Sequence, residues 1–171
     1  VRRQLKNETM GSLEIFKPMV QCLLRGLVGQ SLYLILDPTD LDADHSTVMM
    51  MLAYRGRALP VIWKNFEITP GAIGQSVTEL FAELRSWLPE GSQVFLLADR
   101  EFHGVDMLEL IVDQGWIPVV RGMGTTTVTL ADGTSHPLSD LTPPVGQMAF
   151  YDGVALTAEQ VGPVSLSSSG A

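Results

Sequence analysis

The chain has 171 residues, 46% of them hydrophobic, one cysteine and a formal net charge of −8 at a pI near 4.7. That length and composition suit one folded domain with a small appendage, and they exclude a disordered chain, a disulfide framework and, with no run of about 18 apolar residues, a membrane-spanning helix. So acidic a composition also argues against a simple DNA-coating protein, whose footprint is basic, but not against an enzyme that gathers acids around metal ions.

The opening VRRQLKNETMGSLEIF lacks the long apolar run of a signal peptide. It begins on Val, as a fragment would, and the lone Cys22 suits a reducing cytosol. Residues 12–28, SLEIFKPMVQCLLRGLV, carry Leu13, Phe16, Val20, Leu23, Leu24 and Leu27 at helical spacing, with Pro18 as a boundary or kink and Gly29 as the end. Leu32–Leu36 is a short apolar run and predicts a buried strand. TVMMMLAY and ALPVIW follow, separated by Arg55-Gly56-Arg57, and predict an antiparallel hairpin with Met49 to Met51 as core and Pro60 at a bulge or edge. Gly71 and Gly74 mark a loop. Ser76 and Glu79 form a capping-box pattern for a helix through VTELFAELRSWL that stops at Pro89-Glu90-Gly91.

QVFLLAD predicts another strand, GVDMLELIVDQGW a helix ending near Gly115, and IPVVRG a further strand. The order is three strands, helix, strand, helix, strand. From Gly122 the texture changes: TTTVTLADGTSHPL alternates around Asp132-Gly133 as a hairpin, LTPPVGQMAFYDGVALT continues as short β-like pieces, and GPVSLSSSGA reads as a disordered tail.

Two of these strands share a feature. Asp37 and Asp99 each follow a five-residue apolar run. A strand end is a common place for Asp as a turn residue, and that reading stands beside a functional one. In open α/β sheets, sites form at the carboxyl ends of strands. Two like charges brought together there repel, and a divalent cation relieves the conflict. A two-metal site would need both carboxylates within about 8 Å. Response-regulator receivers and haloacid-dehalogenase-like phosphatases also carry strand-end Asp, but they alternate strand and helix from the start. Asp40-Leu41-Asp42 resembles a phosphatase Asp-x-Asp, yet it falls past the apolar run and lacks partner motifs. Three leading antiparallel strands are the order of a ribonuclease H-like mixed α/β sheet.

The segments LILDPTDL, YRGRALPVIW and LLADREF, with VVRG at 119–122, resemble the catalytic domain of DDE transposases of the insertion-sequence-four family. The resemblance covers about residues 30–122 closely and the β-rich segment after it loosely. It divides the chain into an N-terminal helical segment at 1–29, a partial catalytic core at 30–122, the start of a β-rich insertion at 123–160 and the tail at 161–171. It implies that Asp37 and Asp99 are the first two members of an acidic triad that holds two Mg²⁺ or Mn²⁺ ions. The implied chemistry is metal-assisted phosphoryl transfer on transposon ends and target DNA, in a homodimer of the bacterial cytoplasm that associates with the nucleoid when bound.

The family's third acid is a Glu within a Tyr-x2-Arg-x3-Glu-x6-Lys pattern, and no such pattern occurs here. Asp152-Gly153 follows Tyr151, and Ala155 stands where Glu159 would need an Arg. The chain is therefore expected to stop inside the insertion, inactive by itself, with an uncovered apolar sheet face near Asp37. Related alternatives are a hydrolytic ribonuclease H-like nuclease or resolvase, and a non-enzymatic remnant of a decayed element. Arg57, Arg100 and Arg121 are candidate DNA contacts; Arg55, Arg57 and Lys64 are equally readable as solvated hairpin residues, and Arg100 as a surface ion pair. Asp40, Asp42 and Asp44 read as a solvated acidic loop. His45, His103 and His136 lack zinc-ligand spacing. Trp63, Trp87 and Trp116 read as core, and Cys22 as inert on an apolar helix face.

Overall fold

Main-chain pairing carries the strands further than their apolar runs. The computed structural model describes residues 12–102, 104–156 and 161–169, and they form a mixed α/β protein with a five-stranded mixed sheet and a separate four-stranded one. Contacts divide the chain into two compact units, the first running to Ala98 and resuming at Leu110–Val119, the second holding Asp99–Glu109 and the chain from Val120. The cuts fall at Asp99 and Val120.

In the first unit, α1 (Ser12–Arg25) runs unbroken through Pro18. Proline removes one intrahelical hydrogen bond, and the complete burial of Val20 and Leu24 on the following turns offsets that loss. The helix ends before Gly26, short of the expected Gly29. Strand β1 (Leu32–Asp40), β2 (His45–Tyr54) and β3 (Arg57–Glu67) form an antiparallel meander. The β2–β3 turn is the expected one. Arg55 and Gly56 both have positive φ, 49° and 73°, the twist that a two-residue hairpin turn needs and that Gly supplies without strain. Pro60 meets both expectations: β3 is an edge strand, and the register slips between Met50, opposite Ile62, and Met51, opposite Pro60, leaving Val61 as the extra residue.

Helix α2 (Ala72–Arg85) starts four residues before the expected cap. Gly71, at φ 81°, turns the chain into the helix, Ser76 is buried inside it, and Glu79 bonds Gln75 and Lys64 rather than closing a capping box. The buried residues Val77, Leu80, Phe81 and Leu84 of α2 lie at helical spacing and pack on the β2–β3 side of the sheet. Strand β4 (Val94–Ala98) pairs parallel with β1. Helix α3 (Val105–Asp113) leads to β5 (Ile117–Val120), and the sheet order is β3-β2-β1-β4-β5. Trp116 lies 4.9 Å from Phe81, centroid to centroid. Leu34, Met50, Ile62, Phe81, Leu96 and Ile111 are wholly buried. On the other side of β1 and β4, Tyr33 stacks on Phe95 at 5.0 Å and keeps 46% of its surface exposed.

The second unit contains β6 (Thr127–Thr129), β7 (Ser135–Pro137), β8 (Met148–Leu156) and β9 (Val161–Ser169), in the order β7-β6-β8-β9. The Asp132-Gly133 hairpin forms as expected: Asp132 Oδ1 accepts from the backbone N–H and the hydroxyl of Thr134. The tail from 161, read above as disordered, is strand β9 as far as Ser169, antiparallel to β8 from Leu156 opposite Val161 to Met148 opposite Ser169. Its Ser-rich composition offers little side-chain burial, but main-chain bonding to β8 needs none. No described helix is long and apolar enough to cross a membrane.

Candidate functional site

Asp37 is not the residue after its strand. β1 continues to Asp40, with Asp37 opposite Met49, Thr39 opposite Thr47 and Asp40 opposite Ser46 on β2. The Ser46 hydroxyl adds a bond to the carbonyl of Thr39 at 3.1 Å. Pairing with β4 is shorter and runs only from Leu32–Val94 to Leu36–Ala98. Asp37 is therefore the first β1 residue beyond the parallel ladder while still held by β2. Alternation along β1 buries Leu32, Leu34 and Leu36 and leaves Asp37 exposed. Asp40, read above as lying past the strand, is its last residue.

Asp99 follows Ala98 and opens the second unit. Its Oδ1 accepts the backbone N–H of Arg100 at 2.7 Å. Its carbonyl accepts the N–H of Phe102 at 3.0 Å, closing a short 3-10 turn whose Phe102 is 2% exposed. Burial of Phe102 anchors the turn and so fixes Asp99 and Arg100 on its outer side.

An open cleft of about 1020 Å³ in this unit is lined by Asp99, Arg100, Arg121, Met123, Thr125 and Ser139, with Gly122, Gly124 and Pro137 between them. Its walls are stitched together by main chain: Leu138 donates to Thr126 at 2.8 Å, Ser139 to Gly124 at 2.9 Å and Thr126 to Met123 at 2.9 Å. A Cβ at Gly122 would come within 2.5 Å of Leu138 Cδ2, so a larger residue there obliges that rotatable side chain to shift. Three of the sequence candidates, Asp99, Arg100 and Arg121, thus share one cleft. Thr125, Ser139 and the Gly122–Gly124 stretch were not anticipated. The only signal for them was the pair of glycines directly after VVR.

The remaining candidates lie elsewhere. Arg57 is exposed at the base of the β2–β3 turn opposite Tyr54, and Arg55 sits 5.2 Å over the Tyr54 ring. Lys64 is paired with Glu79. Asp42 caps the β1–β2 turn: its Oδ1 accepts the N–H groups of Asp44 and His45 at 2.9 and 2.8 Å and faces His45 Nδ1 at 2.9 Å. The Asp44 N–H, followed by the His45 ring, holds its carboxyl below the usual Asp range. His136 Nε2 lies 3.3 Å from the Thr134 hydroxyl, and His103 is outside the described residues. Trp87 and Trp116 are core, as expected, whereas Trp63 is half-buried with Phe16 edge-on at 5.0 Å. Cys22 is exposed rather than buried on an apolar helix face. No group of three His, Cys, Asp or Glu that could hold a metal occurs among the described residues.

No family model and no curated protein matches the chain. Among solved structures, human ENDOV is similar at 16% identity over 93% of this chain and 83% of that one, with a TM-score of 0.36. Endonuclease V of Ciona intestinalis, in complex with an inosine-containing 24mer DNA, is similar at 11% identity over 92% and 82%, again at 0.36. The Aquifex aeolicus PPX-GPPA enzyme is similar at 8% identity and a TM-score of 0.29 over 54% of this chain, which spans only 36% of that enzyme's length. At these identities and scores the likenesses carry no argument about this chain, whose function has to be read from its own strands and side chains.

Proposed function

We propose that this chain is a ribonuclease H-like catalytic core of a DDE-type transposase, acting in metal-dependent phosphoryl transfer on DNA, with Asp37 and Asp99 as two of its acids. The observation that carries the reading is the register of the first unit. The parallel β1–β4 ladder ends with Leu36 opposite Ala98, and the next residue of each segment is an aspartate. The strand order β3-β2-β1-β4-β5, with three antiparallel strands leading, supports the same reading.

The donor chemistry fits the implied cation. Mg²⁺ takes hard oxygen ligands, keeps several waters and is held by one or two carboxylates plus substrate phosphates. Asp37 and Asp99 would hold it, and when bound it supplies Lewis acidity at the phosphodiester. Their own task is to present ionised carboxylates at strand-anchored positions. The β2 ladder fixes the backbone of Asp37, and the Arg100 N–H at 2.7 Å fixes the Asp99 carboxylate. Arg100 and Arg121 offset the negative charge of an approaching backbone. Arg57, exposed at the base of the β2–β3 turn, is a further candidate DNA contact.

The chain supplies two acids, and a third is absent from its sequence. The expected behaviour is weak binding of Mn²⁺ by the purified chain, measured by electron paramagnetic resonance, lost in both Asp37→Asn and Asp99→Asn, with no nicking of supercoiled DNA. Mn²⁺ binding unchanged by either substitution would overturn the site. Divalent-dependent nicking that Asp99→Asn abolishes would show instead that two acids suffice. Nicking without any strand-transfer product would favour a hydrolytic nuclease over a transposase.

A further inference from the structure

Strand β1 outruns one of its two neighbours. Its parallel pairing with β4 ends at Leu36–Ala98. Residues 37–40 continue with β2 alone beside them, from Asp37 opposite Met49 to Asp40 opposite Ser46. This overhang buries no side chain fully: Asp37, Thr39 and Asp40 are exposed and Pro38 is half-buried. Pro38 also has no N–H to give to a neighbour. Apolar packing therefore holds Asp37 from one side, through the buried Leu36. The place of its carboxylate depends on how firmly the overhang is tied to β2.

One alternating row of β2, Ser46, Val48, Met50 and Leu52, is buried. Three of these residues are apolar, and the fourth, 4% exposed, is a serine. A buried hydroxyl is unfavourable unless it is bonded, and Ser46 Oγ donates to the carbonyl of Thr39 at 3.1 Å. That bond crosses from β2 to the overhang, two residues from Asp37. The turn beyond is tied within itself, Asp42 accepting from Asp44 and His45. Thr47, the next residue of β2, is also buried, and its hydroxyl donates to the carbonyl of Lys64 at 3.2 Å, on β3 and away from β1. Two adjacent hydroxyls thus tie opposite neighbours, and of the two Ser46 ties the strand that carries the acid.

We propose that Ser46 is a positioning residue of the acidic site: by holding the Thr39 carbonyl it keeps the overhang on β2, and so keeps the Asp37 carboxylate in one place for a divalent cation. Ser46 is buried and acts through the main chain, not by contact with the cation. A ligand that swings binds more weakly, because binding must then also order it. The inference rests on the reading of Asp37 as a metal ligand and adds to it a residue outside the acids and arginines.

Two measurements on the whole chain test it. In EDTA, amide hydrogen exchange followed by nuclear magnetic resonance reports on the overhang without any metal. Ser46→Ala should speed exchange at Asp37, Thr39 and Asp40 about threefold relative to Leu34, as local opening does, and Thr47→Val should not. With Mn²⁺, electron paramagnetic resonance should show affinity about threefold weaker in Ser46→Ala, less than the roughly ten- to hundredfold cost of removing a direct partner of a ligand. Thr47→Val should leave that affinity unchanged, and Ser46→Thr, which keeps the hydroxyl, should restore most of it. Ser46→Ala and Thr47→Val each remove one buried hydroxyl bond, so their urea midpoints should fall alike; a metal affinity that falls in one alone separates positioning from general stability. Unchanged exchange over residues 37–40 in Ser46→Ala, or equal Mn²⁺ affinities in Ser46→Ala and Thr47→Val, would overturn the inference alone. Mn²⁺ binding that Asp37→Asn leaves unchanged would overturn the reading of the site and the inference with it.

Discussion

The two units bury their apolar residues very differently. In the first, every strand from β1 to β4 sends side chains into a common interior. Leu34, Met50, Val61, Ile62 and Leu96 are fully buried, and α2 adds Val77, Phe81 and Leu84. In the second, among the described side chains, the strands bury little beyond Val128 and Val154, while Val145, Met148 and Phe150 are 80%, 63% and 71% exposed. A continuous interior fixes backbone positions, as a carboxylate-based metal site requires. The difference teaches that the first unit holds its backbone through a shared apolar interior and the second chiefly through main-chain pairing.

The largest test of this contrast is Phe81→Ala. Phe81 is wholly buried and lies against Trp116 at 4.9 Å. Its truncation should cost about 3–5 kcal/mol in urea unfolding. A loss below about 1 kcal/mol would show that the interior of the first unit is loosely packed and remove the contrast. Next comes Gly122→Ala in the second unit. The new Cβ meets Leu138 Cδ2 at 2.5 Å, but that methyl is the end of a rotatable side chain. Destabilisation should stay within about 1–3 kcal/mol in urea unfolding. A loss as large as that of Phe81→Ala would show that Leu138 is held rigidly and that the second unit is packed as firmly as the first.

The smallest effect concerns α1 and α2. Glu83 accepts from Lys17 Nζ at 3.0 Å and from Trp87 Nε1 at 2.8 Å, and the Lys17 bond, then the Trp87 bond, holds its carboxyl below its ordinary 4.5. A depressed folded pKa contributes stability that is full above the unfolded value and lost as pH falls through the folded one. Glu83 is 45% exposed, so solvent screening limits the pair to less than about 1 kcal/mol. Glu83→Gln should therefore lower the melting temperature slightly at pH 7, and the two proteins should converge as pH falls below 4.5. Parallel melting curves across that range would mean the pair stabilises nothing.

Much of the first unit was legible in the sequence because period and punctuation agree there. The run TVMMMLAY, the turn at Arg55-Gly56 and the strand ALPVIW lie as their pattern implies, and so do QVFLLA and IPVV. The misses share a cause: side-chain polarity was taken to end an element where backbone geometry did not. Thr39 and Asp40 remain in β1 because the ladder to β2 ignores polarity. Ser76 was taken for a cap, yet it is a small residue buried in the body of a helix that Gly71 had already started. Pro18 was taken for a boundary or kink, and it is no boundary, since α1 runs through it with neighbouring burial holding the helix together. Serines from 165 onward looked structureless, and β8 supplies them with bonding partners. Of the candidate site, Asp99, Arg100 and Arg121 were legible as residues but not as neighbours. Arg121 reaches the cleft only through the main-chain stitches between 122–126 and 137–139, which no local pattern announces.

Val61 has an effect beyond its own position. Before it, odd-numbered residues of β3 share a side of the sheet with Leu52, through Leu59; after it, even-numbered ones share that side with Met50, through Ile62. One extra amino acid therefore reverses the parity of the strand partway along. Lys64 comes to the side where α2 offers Glu79, and Trp63 goes to the other. An aligner that counted alternation straight through ALPVIWKN would assign the tryptophan to the interior and the lysine to water. Deleting that residue would remove the bulge and leave both side chains where they are, because Pro60 and Ile62 already face the consecutive Met51 and Met50; pairing Val61 into an unbulged ladder is what would exchange them.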